Sequence, residues 1–314
     1  MVYAIHPMST PALLQPDDDL CHGSSRTGNM NRIGALLTGD GPVVIPGVYD
    51  ALSAKLAAEA GFRAVLVSGY CLSATRLGEP DFGLLTQTEV LDAAARIVAA
   101  VDIPVLVDID TGYGNAFNVE RTVRELVRMG AAGCFLEDQV WPKRCGHMEG
   151  KKIVALEEYL LKLTAARETG GPDFWITART DARAVAGLDE AIRRGQAFAA
   201  HGASCVFVEA PESIDEMAAV RAAIPAHVPL VANMVEQGKT PLRSAAELAA
   251  SGYRLALVPV APLLASAHAL RALFAVLARD GATGALADRM LGFGELNTLV
   301  GLDERYRRER GWLR

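Results

Sequence analysis

The chain has 314 residues, of which 51% are hydrophobic, and a formal net charge of −6. This composition is too apolar for a disordered chain and is sufficient for one large α/β barrel or two ordinary domains. Acidic and basic residues are interspersed without a basic block, so nucleic acid is not an expected partner. The five cysteines form no Cys-x-x-Cys pair and no zinc spacing, which favours reduced thiols and a cytoplasmic location.

The first thirty residues lack a charged start followed by an apolar segment, so they do not read as a secretory signal. No apolar run reaches the roughly 20 residues that a membrane span needs, and no membrane association is expected. Residues 1–31 are predicted to form an irregular N-terminal arm. Residues 32–314 are predicted to form a single domain that includes a C-terminal helical extension beyond about Pro262.

From Val43 onward, short apolar runs alternate with alanine-rich amphipathic stretches. The predicted strands are Val43–Pro46, Ala64–Ser68, Val105–Ile109, Cys134–Glu137, Phe174–Ala178, Cys205–Glu209, Leu230–Ala232 and Leu255–Pro259. The predicted helices between them include Ala51–Ala60, Val119–Met129, Leu156–Arg167, Asp189–His201 and Ser244–Ser251. Apolar strands that alternate with helices indicate a parallel sheet buried on both faces, and eight such units favour a closed (β/α)₈ TIM-type barrel.

Polar residues cluster at the C-terminal ends of the predicted strands, where such a barrel gathers its active site. In chain order they are Ser68, Gly69, Tyr70, Asp108, Asp110, Glu137, Arg179, Glu209 and Asn233. If these positions served only to pack the barrel, burying the carboxylates among them would cost desolvation free energy without any benefit. A convergent ring of carboxylates needs a cation, and oxygen ligands indicate a hard ion, Mg²⁺ or Mn²⁺.

Asp108 and Asp110 are two residues apart, which on a strand would place both on one face, aimed at the barrel mouth. The alternative is a pair of capping aspartates that accept hydrogen bonds from the next loop. Arg179 at a strand end suits a substrate carboxylate, because its planar fork binds one in bidentate fashion. Its alternative is an ion pair with Glu209 or Asp181.

A polar loop follows the fourth predicted strand and contains Cys145 with Lys143, Arg144 and His147 as close neighbours. Cations lower the pKa of a thiol and make it a competent acid or base near neutral pH. A charged, glycine-flanked loop is a poor place for a packing cysteine. The loop is therefore predicted to carry a catalytic thiol and to close over bound substrate.

Three motifs occur in order at the ends of strands three and four: Asp108-Ile-Asp-Thr-Gly-Tyr-Gly, Glu137-Asp-Gln and Lys143-Arg-Cys-Gly-His. With them, the chain from about Ile33 onward resembles the isocitrate lyase/phosphoenolpyruvate mutase superfamily. Within it, Tyr49–Ala54, Ser68–Tyr70 and Pro80–Thr86 resemble the branch of petal-death-protein-like alkylmalate lyases. The combination of motifs is specific and covers nearly all of the chain except the N-terminal arm.

The resemblance implies a Mg²⁺-dependent lyase that cleaves a 2-hydroxy dicarboxylate, of the 2-alkylmalate or dimethylmalate type, into a 2-oxo acid and a carboxylic acid. It also implies a homotetramer, a dimer of dimers that exchange a C-terminal helix. The metal residues it implies are Asp108 and Asp110, with Asp81, Glu137 and Glu209 around the ion. The substrate residues are Ser68, Gly69, Tyr70, Gly146, Arg179, Glu209 and Asn233. The catalytic residues are Cys145 as proton donor, Lys143, Arg144 and His147 beside it, and Tyr49 or an active-site carboxylate as base.

Two departures from the family narrow the substrate. The methylisocitrate lyase branch has arginines where this chain has Leu264 and Phe293, so a third carboxylate would be left without a partner. Oxaloacetate hydrolases carry a Ser or Thr just after strand eight, where this chain reads Val258-Pro259-Val260-Ala261-Pro262. Oxaloacetate hydrolysis and a carboxyvinyl-carboxyphosphonate phosphorylmutase activity stay open as alternatives, as does a barrel that only binds an organic acid.

Overall fold

Eight parallel strands form a barrel in the computed structural model, which describes residues 31–39, 41–146 and 148–313. The strands are β1 (Val43–Val48), β2 (Val65–Val67), β3 (Val105–Asp108), β4 (Gly133–Glu137), β5 (Trp175–Thr180), β6 (Cys205–Val208), β7 (Val231–Asn233) and β8 (Leu255–Val258). Neighbouring strands follow the order β6-β5-β4-β3-β2-β1-β8-β7. A parallel bridge between Val206 and Leu230 joins the two ends of this order. The (β/α)₈ fold predicted from the sequence is confirmed.

Helices follow the strands around the outside of the barrel. The helices are α1 (Arg32–Leu36), α2 (Ala51–Glu59), α3 (Gly69–Leu72), α4 (Gln87–Ala100), α5 (Ala116–Met129), α6 (Leu156–Gly170), α7 (Ala182–Ala186), α8 (Leu188–Ala200), α9 (Ile214–Ala223), α10 (Ala245–Ala250), α11 (Ala261–Asp280), α12 (Phe293–Leu299) and α13 (Leu302–Trp312). A π-helical turn spans Ser73–Leu77, and a 3₁₀ turn spans Gly284–Arg289. The predicted arm lies outside the described residues except for Asn31, which caps α1 by accepting a hydrogen bond from Gly34.

Short polar side chains start several of the outer helices, which fixes where each strand-to-helix loop ends. The residues that accept a hydrogen bond from an amide in the first turn include Asp50, Thr86, Asn115, Ser213 and Ser244. Such caps satisfy amides that the helix itself leaves without a partner. The loops that carry the polar strand ends are thereby anchored at their far side.

The interior of the barrel is filled by every second residue of the strands. The cluster of inward-facing side chains includes Ile45, Leu66, Leu106, Phe135, Trp175, Phe207, Val231 and Leu257. Alternate residues of a strand share a face, so the residue two positions further toward the C-terminal end of a strand, or four positions further in β5, also points inward. This alternation places Ser68, Asp108, Glu137, Arg179, Glu209 and Asn233 around one mouth of the barrel.

The C-terminal helices α11, α12 and α13 contain no buried residue within this single chain. Of the described residues, one helix is long and apolar enough to cross a membrane by length and composition, and it is α11. This helix is nevertheless not an unbroken apolar run, which is what the sequence expectation concerned. His268 and Arg271 lie near its centre, and an arginine at the centre of a bilayer costs about 2.5–3.5 kcal/mol. A surface that contacts protein fits this helix better than one that contacts lipid.

Candidate active site

The two aspartates after β3 lie together because the chain turns there. Asp108 ends β3, whereas Asp110 lies beyond it with a left-handed backbone (φ 50°). The Asp110 amide donates to Asp108 Oδ1 at 3.1 Å. The sequence argument that both aspartates share one face of a strand is thus wrong, because Asp110 lies beyond the end of β3. The turn, rather than strand alternation, keeps Asp110 beside Asp108, and the capping bond that was the alternative interpretation also forms.

Lys143 lies buried between carboxylates of this turn and of the preceding loop. Its Nζ is 2.7 Å from Asp81 Oδ1 and 2.8 Å from Asp110 Oδ1. Burial alone lowers the pKa of an ammonium, but Asp110 and Asp81 raise that of Lys143 well above its usual range. Burial raises the pKa of Asp110 to about 7, against the opposing effect of Lys143. The ammonium is thus a fixed positive charge within the acidic turn.

Arg179 is surrounded by three carboxylates at the end of β5. Its Nε is 2.9 Å from Asp181 Oδ2 and 3.3 Å from Glu137 Oε2, and its Nη1 is 3.2 Å from Glu209 Oε2. The predicted alternative of an ion pair with Glu209 or Asp181 is therefore present. The guanidinium also lines the cavity described below, so these pairs orient it at the barrel mouth without removing it from the site.

The Cys145 loop, described at residues 141–146 and 148–150, lies at the barrel mouth. Its ends are joined by an antiparallel bridge between Gln139 and Ile153. The Gln139 side chain accepts a hydrogen bond from the amide of Arg144 and donates one to the carbonyl of the same residue. The Cys145 amide donates to the Asp81 carbonyl at 3.1 Å. The thiol is consequently held at the cavity on a loop that is anchored to the barrel.

One cavity of about 400 Å³ opens at this end of the barrel. The predicted site residues that line it are Ser68, Tyr70, Asp81, Asp108, Lys143, Cys145, Gly146, Arg179, Glu209 and Asn233. Leu257, Pro259, Val260 and Leu264 form an apolar wall on its β8 side. The cavity thus joins charged groups suited to carboxylates with an apolar surface suited to an alkyl group.

Three other predicted site residues lie just behind the cavity lining. Gly69 leaves no room for a side chain, because an added Cβ would be 3.0 Å from Asp108 Oδ2. Asp110 reaches the site through its ion pair with Lys143, and Glu137 does so through its ion pair with Arg179. These residues shape and charge the site without forming its surface.

Two of the predicted catalytic groups point elsewhere. The Tyr49 hydroxyl is 2.8 Å from Ser266 Oγ on α11. The Arg144 guanidinium donates to the Glu149 carbonyl and lies over the Phe82 ring. His147 lies outside the described residues.

The acidic groups have the character of a hydrated divalent cation site. Carboxylates outnumber cations, since those of Asp81, Asp108, Asp110, Glu137, Asp181 and Glu209 surround Lys143, Lys151 and Arg179. Glu137 Oε1 is buried without a hydrogen-bond partner. Among the described residues, no group of three His, Cys, Asp or Glu side chains has the spacing of direct ligands. An all-oxygen site of this kind fits Mg²⁺, which keeps several waters and contacts few carboxylates directly.

Sequence reasoning missed the role of Lys151. Its Nζ is 2.7 Å from Asp181 Oδ1 and donates to the Gly146 carbonyl. The sequence shows two adjacent lysines, Lys151 and Lys152, of which the first is buried and the second exposed. The four residues that follow them, Ile153 to Leu156, are all apolar, so no alternation indicates which lysine points inward.

Comparisons with known proteins agree with this geometry. The family model described as phosphoenolpyruvate phosphomutase matches residues 33–278. The chain is 47% identical over 285 residues to the petal death protein of Dianthus caryophyllus, covering 90% of this chain and 89% of that protein. It is 48% identical over 263 residues to the 2,3-dimethylmalate lyase of Eubacterium barkeri, covering 83% of this chain and 90% of that protein.

Solved structures share the same barrel. Oxaloacetate acetylhydrolase in complex with 3,3-difluorooxalacetate aligns with a TM-score of 0.85 at 36% identity, covering 90% of this chain and 96% of that one. Phosphonopyruvate hydrolase in complex with oxalate and Mg²⁺ aligns with a TM-score of 0.80 at 32% identity, covering 90% of this chain and 98% of that one. Lyase, hydrolase and mutase chemistry thus occur on one scaffold, and the site has to distinguish among them.

Proposed function

The chain belongs to the phosphoenolpyruvate mutase family, within the isocitrate lyase/phosphoenolpyruvate mutase superfamily, and we propose that it is a Mg²⁺-dependent lyase acting on a 2-alkylmalate or a dimethylmalate. The products would be a 2-oxo acid and a carboxylic acid. One observation carries the proposal: Cys145, Asp108, Arg179 and the apolar wall all line a single cavity. That combination suits two carboxylates, a metal ion and an alkyl branch.

Mg²⁺ would be held by Asp108, which lines the cavity, and by Asp110, directly or through water, with Asp81 and Glu137 around it. When bound, it would supply Lewis acidity that favours ionisation of the substrate hydroxyl. Lys143, fixed between Asp81 and Asp110, offsets part of the negative charge in the acidic turn. Mn²⁺ offers similar oxygen coordination and would be tested in the same assay.

The chain's own groups would bind and orient the substrate. Arg179 would hold a substrate carboxylate, whereas Asn233, Ser68 and Tyr70 would contact the polar groups at the 2-oxo-acid end, since all four residues line the cavity. Asn233 Oδ1 is buried without a hydrogen-bond partner, and its Nδ2 is 3.3 Å from Glu209 Oε2. A substrate group that donates a hydrogen bond would satisfy the free oxygen, because a buried polar atom left unpaired is costly.

The reaction would require one proton to leave and one to arrive. The substrate hydroxyl proton would pass to a base as the C2–C3 bond breaks, and the electron pair would remain on the departing enolate. Carboxylates line the cavity close to this point, whereas the Tyr49 hydroxyl is hydrogen-bonded to Ser266. Cys145, on the loop that covers the cavity, would then deliver a proton to the enolate carbon.

The defining experiment is 2-oxo acid release from 2-alkylmalates, 2,3-dimethylmalate, methylisocitrate and oxaloacetate, with Mg²⁺, with Mn²⁺ and with EDTA. We expect metal-dependent turnover of an alkylmalate, and a fall in kcat of about 10²–10⁴-fold in Cys145→Ser, the usual contribution of a positioned acid. The buried Cys71, changed to Ser, serves as a matched control for the loss of a thiol. Turnover that survives EDTA or Cys145→Ser would refute the mechanism.

Oxaloacetate hydrolysis is the second candidate, because the oxaloacetate acetylhydrolase structure matches this chain closely. Hydrolysis needs a water held beside the scissile carbon. On the β8 side, however, the cavity offers the side chains of Pro259, Val260 and Leu264, which hold no water by hydrogen bonds. Turnover of oxaloacetate without any turnover of malates would favour this candidate.

We further propose that the enzyme is a cytoplasmic homotetramer, a dimer of dimers joined through its C-terminal helices. The apolar side chains on α11, α12 and α13 support this assembly, since Phe274, Phe293 and Trp312 are 59%, 85% and 74% exposed in the single chain. Exposed apolar surface of this extent is typical of a contact between protein chains. The described cysteines 71, 134, 145 and 205 form no disulfide, as a reducing compartment would favour.

A further inference from the structure

Lys151 connects the Cys145 loop with the strand that carries Arg179. It lies directly after the loop, and its side chain is only 2% exposed. Its Nζ donates to the Gly146 carbonyl at 2.5 Å and to Asp181 Oδ1 at 2.7 Å. Gly146 is the next residue after the thiol, so this one ammonium joins the loop beside Cys145 to the end of β5.

The loop backbone at Gly146 is closely packed against the end of β5 and the residue that follows β6. A Cβ added to Gly146 would lie 2.5 Å from Arg179 Nη2 and 2.7 Å from the Glu209 carboxyl carbon. The loop backbone therefore packs directly against the two groups that line the cavity on the β5 and β6 side. A small outward shift of Gly146 would move Cys145 away from the cavity and open the contact with Arg179.

Asp181 is held from behind as well as from the site. Its amide donates to Asp138 Oδ1 at 2.9 Å, and Asp138 in turn accepts from Thr180 Oγ1 and from Arg194 Nη1 on α8. The anchor that Lys151 uses is therefore fixed to the barrel wall. The Asp181 carboxylate also accepts hydrogen bonds from Arg179 Nε and Nη2, so the Cys145 loop and Arg179 are both anchored to Asp181.

We propose that Lys151 is a positioning residue that holds the Cys145 loop closed over the cavity by bridging the Gly146 carbonyl and the Asp181 carboxylate. Its effect on turnover rests on the proposed lyase function, whereas its effect on the loop does not. A buried ammonium with these two partners is costly unless both contacts persist. Lys151 also leaves Asp181 with a positive partner when Arg179 turns toward a substrate carboxylate.

The test compares Lys151→Met with Lys152→Met. Both substitutions replace a lysine by methionine at neighbouring positions, but Lys152 is exposed and its backbone carbonyl, which accepts from Val140, is unchanged. The first readout is the rate at which iodoacetamide alkylates Cys145 without substrate, followed by peptide mass spectrometry. Burial raises the pKa of Cys71 to about 11 and that of Cys134 to about 12, so these thiols serve as internal references that stay unmodified near neutral pH.

We expect Lys151→Met to speed alkylation of Cys145 by about tenfold or more, which is the effect of losing a charge-assisted hydrogen bond. Lys152→Met should stay within about twofold of the wild type, the scale of an ordinary surface change. On the alkylmalate that the wild type cleaves, kcat should fall about tenfold or more, with a smaller change in KM. Such a split is expected when the proton donor is misplaced and substrate contacts remain.

Lys151→Gln is the second variant, for the case that Lys151→Met does not fold. Its side-chain amide retains a neutral hydrogen-bond donor. In this variant, Cys145 should be alkylated at a rate between those measured for the wild type and for Lys151→Met. Unchanged alkylation of Cys145 in a folded Lys151 variant would overturn the proposal, whatever happens to turnover. If the wild type cleaves no malate but Cys145 is still alkylated faster in the Lys151 variant, the positioning role stands and the lyase function is rejected instead.

Discussion

At the scale of single residues, the site consists of buried cations and carboxyl groups that are one another's partners. Arg179 shares its guanidinium among Asp181, Glu137 and Glu209. Lys143 is held in the same way by Asp81 and Asp110. Each ion would be costly to bury alone, and the pairs make the set stable only as a whole. A change of one member should therefore affect the others.

Asp181 gives this coupling a measurable pH dependence. Burial by itself raises its pKa, but Arg179 and Lys151 lower it to about 2, below its usual 3.8. A depressed pKa in the folded state stabilises the protein above the unfolded value near 4, and the benefit disappears as the pH falls through about 2. We expect Asp181→Asn to lower the free energy of unfolding at pH 7 by about 3 kcal/mol or more.

Thermal unfolding followed by circular dichroism between pH 7 and 2 would measure this difference. The gap between wild type and Asp181→Asn should narrow as the pH falls below about 4. Asp189→Asn, at an exposed position on α8, is the matched control and should change stability little at any pH. A gap of constant size across this range would contradict the assignment.

Leu264 is the residue through which substrate size can be tested. It lies in the apolar wall of the cavity, at the start of α11. We expect Leu264→Arg to lower kcat/KM for an alkylmalate about tenfold or more, since the alkyl group would lose an apolar contact and face a charge. The same change should improve turnover of the tricarboxylate methylisocitrate, whose third carboxylate gains a partner.

The substrate panel described above provides the measurement. Leu264→Met conserves volume and apolarity, and should leave the preference for alkylmalates in place. If Leu264→Arg and Leu264→Met gave the same substrate profile, the apolar wall would not determine substrate size.

At the scale of elements, helix caps fix the loops that carry site residues. Asp81 lies in the segment between β2 and α4, and the far end of that segment is fixed by Thr86. Thr86 accepts a hydrogen bond from the Glu89 amide, and the Glu89 side chain accepts from the Thr86 amide at 2.7 Å. This capping box ends the Asp81 loop at a defined residue.

Thr86→Ala should therefore lower the free energy of unfolding by about 1 kcal/mol, the usual cost of losing an N-cap. Thr86→Ser keeps the hydroxyl and should retain most of the stability. Chemical denaturation of the three proteins would measure the difference. Equal midpoints for Thr86→Ala and Thr86→Ser would show that the hydroxyl contributes nothing to the start of α4.

At the scale of the whole molecule, the C-terminal helices α11 to α13 leave several large apolar side chains exposed on the single chain. The barrel buries two continuous clusters of side chains, but α11 to α13 contribute no buried residue. A soluble monomer seldom exposes an apolar surface of this extent. The proposed assembly would bury it, and would also fix the start of α11, where Leu264 lines the cavity.

Phe274→Glu on α11 should dissociate the assembly, because it places a charge within an apolar contact. Light scattering after size-exclusion chromatography would give the mass, compared with 33.3 kDa for one chain. Arg279→Glu introduces the same side chain at an already charged position of α11 and should leave the assembly intact. A wild type that elutes as a monomer would reject the proposed tetramer outright.

The sequence by itself determined the order and number of strands, and with them most of the cavity. Alternation along a strand is a local property, so a polar residue two positions beyond an inward-facing one also faces the mouth, as with Asp108 after Leu106 and Arg179 after Thr177. The metal, the oligomer and the role of each site residue stay predictions.

Only the tertiary structure decided which charges meet. The backbone turn at Asp110, the pairing of Lys143 with Asp81 across 62 positions and the choice of Lys151 over Lys152 as the buried lysine depend on contacts between elements far apart in the chain. Residue type and spacing do not encode such contacts, since adjacent lysines look alike until a neighbouring strand supplies a carboxylate to one of them.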